Sequence, residues 1–200
     1  MKLFGRKTLA LLLALTMMLS LCSFTAFAEG EFAITGPNTI TGKNQKANYK
    51  TTAPDGVTVN WSCSPESVAT IDQSGEVTAV GKGKATITAK YQPSAADGQT
   101  EQPAEQTATY DITVIVPVDS VVMGSGASAS MYIGGTQTLT ATVEPADASN
   151  MNINWSTSDD SIANVSDSGV VTAKKPGTVT IYAISAADST KKTEFGINVL

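Results

Sequence analysis

The side chains able to do chemistry are few, and their types set narrow limits. The 200-residue chain has no His and a single Arg, Arg6. Imidazole acid–base chemistry, His-ligated metals and bidentate Arg clamps on phosphate are therefore unavailable beyond the N-terminus. Of the two cysteines, Cys22 falls in an apolar leader and Cys63 is left alone, so no intramolecular disulfide is expected. Cys63 lies two residues beyond Trp61 in an extended pattern, which places both on one strand face. It reads as a small buried hydrophobe, since a nucleophilic thiolate needs a His or a cationic neighbourhood. Asp159, Asp160 and Asp167 could offer hard oxygen ligands to calcium, but the spacing of a dedicated loop is missing and a solvated acidic turn is the better reading. Asn60-Trp61-Ser62, Asn154-Trp155-Ser156 and Asn164-Val165-Ser166 match the glycosylation triplet, yet they lie in extended segments and read as chance matches. No catalytic residue, metal ligand or cofactor is expected, and the ligand-contacting residues are unknown at this level.

The elements that would position these groups begin after a leader. Lys2, Arg6 and Lys7 precede an apolar run from Leu9 to Leu21, and Ala26-Phe27-Ala28 stands before Glu29. This is the pattern of a signal peptide over residues 1–28, cleaved after Ala28. The apolar run is shorter than the roughly 20 residues a spanning helix needs, so no transmembrane segment is expected once the leader is removed. Leu19-Ser20-Leu21-Cys22 resembles a lipoprotein box, but Leu21 stands where that motif requires a small residue. The three basic residues of the leader leave ten Lys against 18 Asp+Glu. An acidic chain of this kind carries no electrostatic footprint for nucleic acid or anionic lipid.

An internal repeat decides the organisation. Displaced by 94 residues, Val57–Ala89 aligns with Met151–Ala183 without a gap, with 15 identities in 33 positions. The shared skeleton is Asn-Trp-Ser-x-Ser at Asn60 and Asn154, Ser-Gly-x-Val-Thr-Ala at Ser74 and Ser168, and Gly-x-x-Thr-Ile-x-Ala at Gly83 and Gly177. Two copies of this length are tandem domains rather than solenoid units. The calcium reading weakens further here, because Asp159 and Asp160 align with Pro65 and Glu66.

Within each copy the apolar period is two. Ala85, Ile87, Ala89 and Tyr91 alternate with Thr86, Thr88 and Lys90, and Tyr110, Ile112, Val114 and Val116 with Asp111, Thr113 and Ile115; Leu139, Ala141 and Val143 are expected to face one way, as are Phe195, Ile197 and Val199. This alternation marks strands with one face on a core. Ser74-Gly75 and Ser168-Gly169 supply the positive φ of tight hairpins. Roughly seven short strands per copy fit a sandwich, with Trp61 and Trp155 as buried core anchors. The fold class is all-β, two tandem β-sandwiches.

The run from Val59 through Asn60, Trp61, Ser62 and Ser64, then Ser67-Val68-Ala69-Thr70-Ile71-Asp72, Gly75, Val77-Thr78-Ala79-Val80 and Gly83 to Ala89, resembles the bacterial immunoglobulin-like domain, group 2. The second copy is similar from Ile153 through Ala183, and its opening Ile133-Gly134-Gly135, Leu139-Thr140-Ala141, Val143 and Pro145 fits the family more closely than the first copy's Ile40-Thr41-Gly42. The resemblance extends to invasin and intimin-type surface adhesins. It implies small sandwiches used on bacterial surfaces for adhesion, display or spacing, with no catalytic residues to carry over.

The expected boundaries are 29–116 for domain one and 117–200 for domain two. Ala89 to Ile112 spans nine more residues than Ala183 to Ile197, and the excess lies in Gln92–Gln106. That insert is rich in Pro, Gln, Glu and Ala and is read as a disordered hairpin tip. Such tips are also where a sandwich places binding sites. Ile115-Val116-Pro117-Val118-Asp119 joins the copies without a Gly/Ser spacer, predicting a head-to-tail rod with restricted bending, and Gly124–Ser130 reads as a flexible segment. The function expected is a non-catalytic, secreted or cell-surface protein in adhesion or ligand binding, meeting a protein or glycan as a monomer. A purely structural spacer in an envelope assembly is the alternative.

Overall fold

The computed structural model describes residues 31–95 and 101–200. The expected signal peptide over residues 1–28, Cys22 within it, and residues 96–100 of the insert lie outside the described residues. All regular structure described is strand. In the first copy these are β1 (Ile34–Thr35), β2 (Thr39–Thr41), β3 (Lys46–Asn48), β4 (Lys50–Thr51), β5 (Asn60–Ser64), β6 (Ala69–Ile71), β7 (Glu76–Ala79), β8 (Gly83–Tyr91) and β9 (Gln106–Ile115). The second copy contributes β10 (Ser120–Met123), β11 (Ser130–Met131), β12 (Thr136–Thr138), β13 (Ala141–Glu144), β14 (Ile153–Thr157), β15 (Ala163–Val165), β16 (Val170–Ala173), β17 (Gly177–Ser185) and β18 (Lys192–Val199).

Both copies are wired alike. One layer is β2-β9-β8-β5 in the first copy and β11-β18-β17-β14 in the second. The facing layer is β3-β7-β6 with the pair β1-β4, and β12-β16-β15 with the pair β10-β13. The first strand of each copy is thus split between layers, and its second half pairs in parallel with the last strand. Ala85, Ile87, Ala89 and Tyr91 are all buried, as period-two patterning requires, and Val179, Ile181, Ala183 and Ser185 take the same positions in copy two. Each fully buried Val or Ile contributes about 1.5–3 kcal/mol of transfer free energy.

The ladder fixes the insert. Ala85 pairs with Ile112 and Val179 with Ile197, so the displacement between copies drops from 94 on one strand to 85 on the next. The nine-residue excess therefore sits in the turn of the β8–β9 hairpin. Its flanks are tied across: Lys90 pairs with Glu105 at 2.9 Å and the Gln92 amide donates to the Pro103 carbonyl.

Three readings change in the structure. Leu139, Ala141 and Val143 do not share one strand, because the chain breaks at Leu139-Thr140. β12 pairs with β16 while β13 pairs with β10, and Leu139 and Val143 pack into separate clusters. The Gly124–Ser130 segment is anchored, since the Gln137 side chain accepts from Ser128 N–H (3.0 Å) and donates to Ser128 C=O (2.9 Å). Trp61 is buried at 9% exposure, but Trp155 is only half-buried.

The copies interlock where they meet. From Leu139 to Trp155 is 16 steps against 12 from the equivalent Tyr49 to Trp61, and this longer connection reaches the first sandwich. Ser149 N–H donates to Val116 C=O, and Val116 N–H donates to Ser149 Oγ, both at 2.8 Å. Lys82 Nζ donates to Ala148 C=O at 2.8 Å, and Lys43 meets Asp147 at 3.3 Å. Val116, Val118 and Ala148 are buried beside these contacts.

Candidate binding groove

The sequence-nominated groups do not converge. Asp159 Oδ1 accepts from the Ser161 amide (2.8 Å) and hydroxyl (2.7 Å), and the hydroxyl bond above all holds its carboxyl below the usual range. Asp160 pairs with Lys174 at 3.0 Å. Asp167 lies apart, on the exposed β15–β16 turn. Among the described residues no three His, Cys, Asp or Glu side chains are grouped so as to hold a metal ion. Cys63 is half-buried against the first core, and burial pushes its thiol up, which keeps it protonated. Asn60 and Asn154 are exposed on strands, while the buried Oδ1 of Asn164 in β15 has no partner. Neither depression described below is lined by the insert.

A cleft of about 400 Å³ lies at the junction, with Lys43, Val116, Pro117 and Asp147 among its walls. A second depression, of about 370 Å³, opens along β14 and is lined by Leu139, Met151, Ile153, Trp155, Asp167 and Ser168. This second one has a chemically specific wall. Among the described residues β14 is an edge strand whose only partner is β17. Asn152 C=O accepts from Ala186 N–H and Ser158 N–H donates to Thr180 C=O, so the even-numbered residues face β17. By the alternation of an antiparallel ladder, the N–H and C=O of Ile153, Trp155 and Thr157 point outward.

The first copy closes the same edge. Trp61 is the counterpart of Trp155, and its outward N–H donates to Gln73 Oε1 (3.1 Å) while Gln73 Nε2 donates to its C=O (3.0 Å). Gln73 aligns with Asp167, which is one methylene shorter and carries no donor. No bond from Asp167 to Trp155 is formed, and Trp155 N–H and C=O have no partner among the described residues. Both turns are otherwise alike: Gly75 (φ +84°) and Gly169 (φ +80°) each bring their backbone against the preceding strand, where a Cβ would meet the Tyr49 or Leu139 carbonyl at 2.5 Å. Sequence reading missed this site, although its signal is the Gln73/Asp167 mismatch inside the otherwise well-matched repeat.

The model of the bacterial Ig-like domain (group 2) matches residues 37–99 and 117–195. The chain belongs to this family. It is also similar to an uncharacterized protein of Clostridium acetobutylicum (32% identity over 86% of this chain and 18% of the relative). A 3-O-alpha-D-galactosyl-alpha-L-arabinofuranosidase of Bifidobacterium longum is 39% identical over 45% of this chain and 9% of the enzyme. The chain spans less than a fifth of the length of these curated relatives. Among solved structures, surface layer protein SbsC domains 4 and 5 are 18% identical over 86% of this chain and 98% of that one, with a TM-score of 0.38. Adhesin InvE of Yersinia pseudotuberculosis is 16% identical over 84% of this chain and 58% of that one, with a TM-score of 0.37. As a bacterial Ig-like protein, the chain places Trp61 and Trp155 at equivalent positions of its two copies and differs between them in how the adjoining edge is closed.

Proposed function

We propose that the protein is a non-catalytic adhesion or ligand-binding module, secreted or held at the bacterial cell surface, with Ig-like domains over 29–116 and 117–200. The observation that carries this reading is the match of both copies to the bacterial Ig-like domain family. Asp72, Asp159 and Asp188 are each held below the usual range, first by the hydroxyl of Ser74, Ser161 or Thr190 in their own turns. An acid–base catalyst needs the opposite arrangement, a carboxyl raised and facing a cleft. The leader pattern supports export, and the acidic surface without Arg supports a protein or glycan partner over nucleic acid.

A spacer role is the second reading, favoured by the interlocked junction at Ser149 and Lys82. Membership of similar modules in arabinofuranosidases keeps glycans within the ligand class. The test is binding of the purified protein to an array of matrix proteins and glycans. Saturable binding to one class is expected; a folded protein inert across the array would favour the spacer.

A further inference from the structure

We propose that the groove along β14 is a docking site for an extended polypeptide strand, which pairs its backbone with Trp155 and directs a cationic side chain at Asp167. The inference rests on the binding reading above and names the site and the ligand chemistry. Three observations carry it.

The first is that the molecule itself displays the recognition. In copy one a carboxamide, the chemical equivalent of a peptide unit, occupies the edge: it accepts from Trp61 N–H and donates to Trp61 C=O. An incoming strand residue offers the same acceptor and donor to Trp155, where the shorter, donor-free Asp167 leaves both groups open. The second is periodicity. Ile153, Trp155 and Thr157 present their outward groups at the two-residue spacing of a strand, so a docked segment can extend beyond a single pair of bonds. The third is the wall itself. Met151 (40% exposed) and the half-buried Trp155 give it apolar surface, while Asp167 is the one charged residue lining it among the described residues. Complementary charge on the ligand is therefore positive. Covering this edge would also remove the unpaired strand groups that natural sheets otherwise protect.

The experiment uses the 15N-labelled protein and an acetylated, amidated pentapeptide, Thr-Val-Lys-Val-Thr, with a Glu-for-Lys peptide as the charge control. In the free protein the Trp155 amide should exchange with solvent about tenfold faster, or more, than the Trp61 amide. Adding the Lys peptide should shift the Ile153 and Trp155 amide resonances, and the Glu peptide should shift them less. Asp167→Gln, which restores the carboxamide of copy one, should slow Trp155 exchange and abolish the peptide shifts. Gln73→Asp should open the first copy, so that the Trp61 amide becomes peptide-sensitive. Equal protection of the two Trp amides, or peptide shifts that survive Asp167→Gln, would overturn the proposal. Absence of any Lys-peptide shift at Ile153 and Trp155 would overturn it as well, and an oligosaccharide that then binds elsewhere would leave the broader binding reading intact.

Discussion

Ser149 and Val116 are hydrogen-bonded in both directions, backbone to backbone and backbone to hydroxyl, each at 2.8 Å, across the boundary between the two sandwiches. Because Val116 is buried at 4% exposure, its N–H has no water to turn to if the hydroxyl is lost. Ser149→Ala should therefore cost about 1–3 kcal/mol, the penalty of an unsatisfied buried donor. Backbone 15N relaxation gives the companion readout: the two sandwiches should tumble more independently in the variant. Unchanged relaxation and unchanged melting would show that the junction does not depend on this pair.

The two tryptophans should not be equivalent. Trp61→Ala removes a buried side chain and is expected to cost about 3–5 kcal/mol. Trp155 is less deeply buried, so Trp155→Ala should cost less, about 2 kcal/mol, with less area returned to water. Urea unfolding of the two variants measures the difference, and equal losses would contradict the half-burial of Trp155.

Acid should weaken the fold through three turns. Asp72, Asp159 and Asp188 have folded pKa values below the ordinary 3.8, so their charged forms favour the native state. Their contribution is complete above that ordinary value and is lost as pH falls through the depressed ones. Melting temperature should drop as pH falls below about 4. The combined Asp72→Asn, Asp159→Asn and Asp188→Asn variant should show a flatter acid limb.

Alkali should act on the first copy alone through Tyr49. Its ring is buried, its hydroxyl donates to Pro37 C=O at 2.6 Å, and burial pushes its pKa up to about 12. A raised folded value means the neutral phenol favours the native state, with stability present below the ordinary 10.0 and lost as pH climbs towards 12. Leu139 stands at the equivalent place in the second copy and does not titrate. Tyr49→Phe should reduce the alkaline loss in domain one, leaving the part carried by the raised Cys63 thiol, followed by tyrosinate absorbance and by melting.

Shortening the insert to the length of the second copy should change stability by less than about 1 kcal/mol, since loop-closure entropy depends only weakly on length. Differential scanning calorimetry of the nine-residue deletion checks this. A large loss would mean that the tip packs on something.

Much of the fold was legible because the patterns involved are local. The alternation at Ala85–Tyr91, the Ser-Gly turns and the 94-residue repeat each declare themselves within a few residues. The break at Leu139-Thr140 was not, because apolar alternation continues unchanged while the strand changes its partner from β16 to β10. The open backbone edge at Trp155 was hidden for another reason: it depends on the length of one side chain, Asp167, on a turn 12 residues away, where the first copy has Gln73. The role of Ser149 likewise depends on a backbone group 33 residues distant, beyond any local pattern.

The parallel pairing of each copy's opening strand with its last, Thr39–Thr41 beside Thr113–Ile115 and Ser130–Met131 beside Asn198–Val199, has a mechanical consequence. Tension applied to the two ends of a sandwich pulls these neighbours in opposite directions along their own length. The connecting bonds are loaded together in shear and cannot peel one by one. The bonds flanking these pairs match between the copies, Thr113 N–H to Asn38 C=O and Gly42 N–H to Ile115 C=O in the first, Asn198 N–H to Ala129 C=O and Ile133 N–H to Leu200 C=O in the second, so a stretched chain should meet the same sheared clamp in each sandwich.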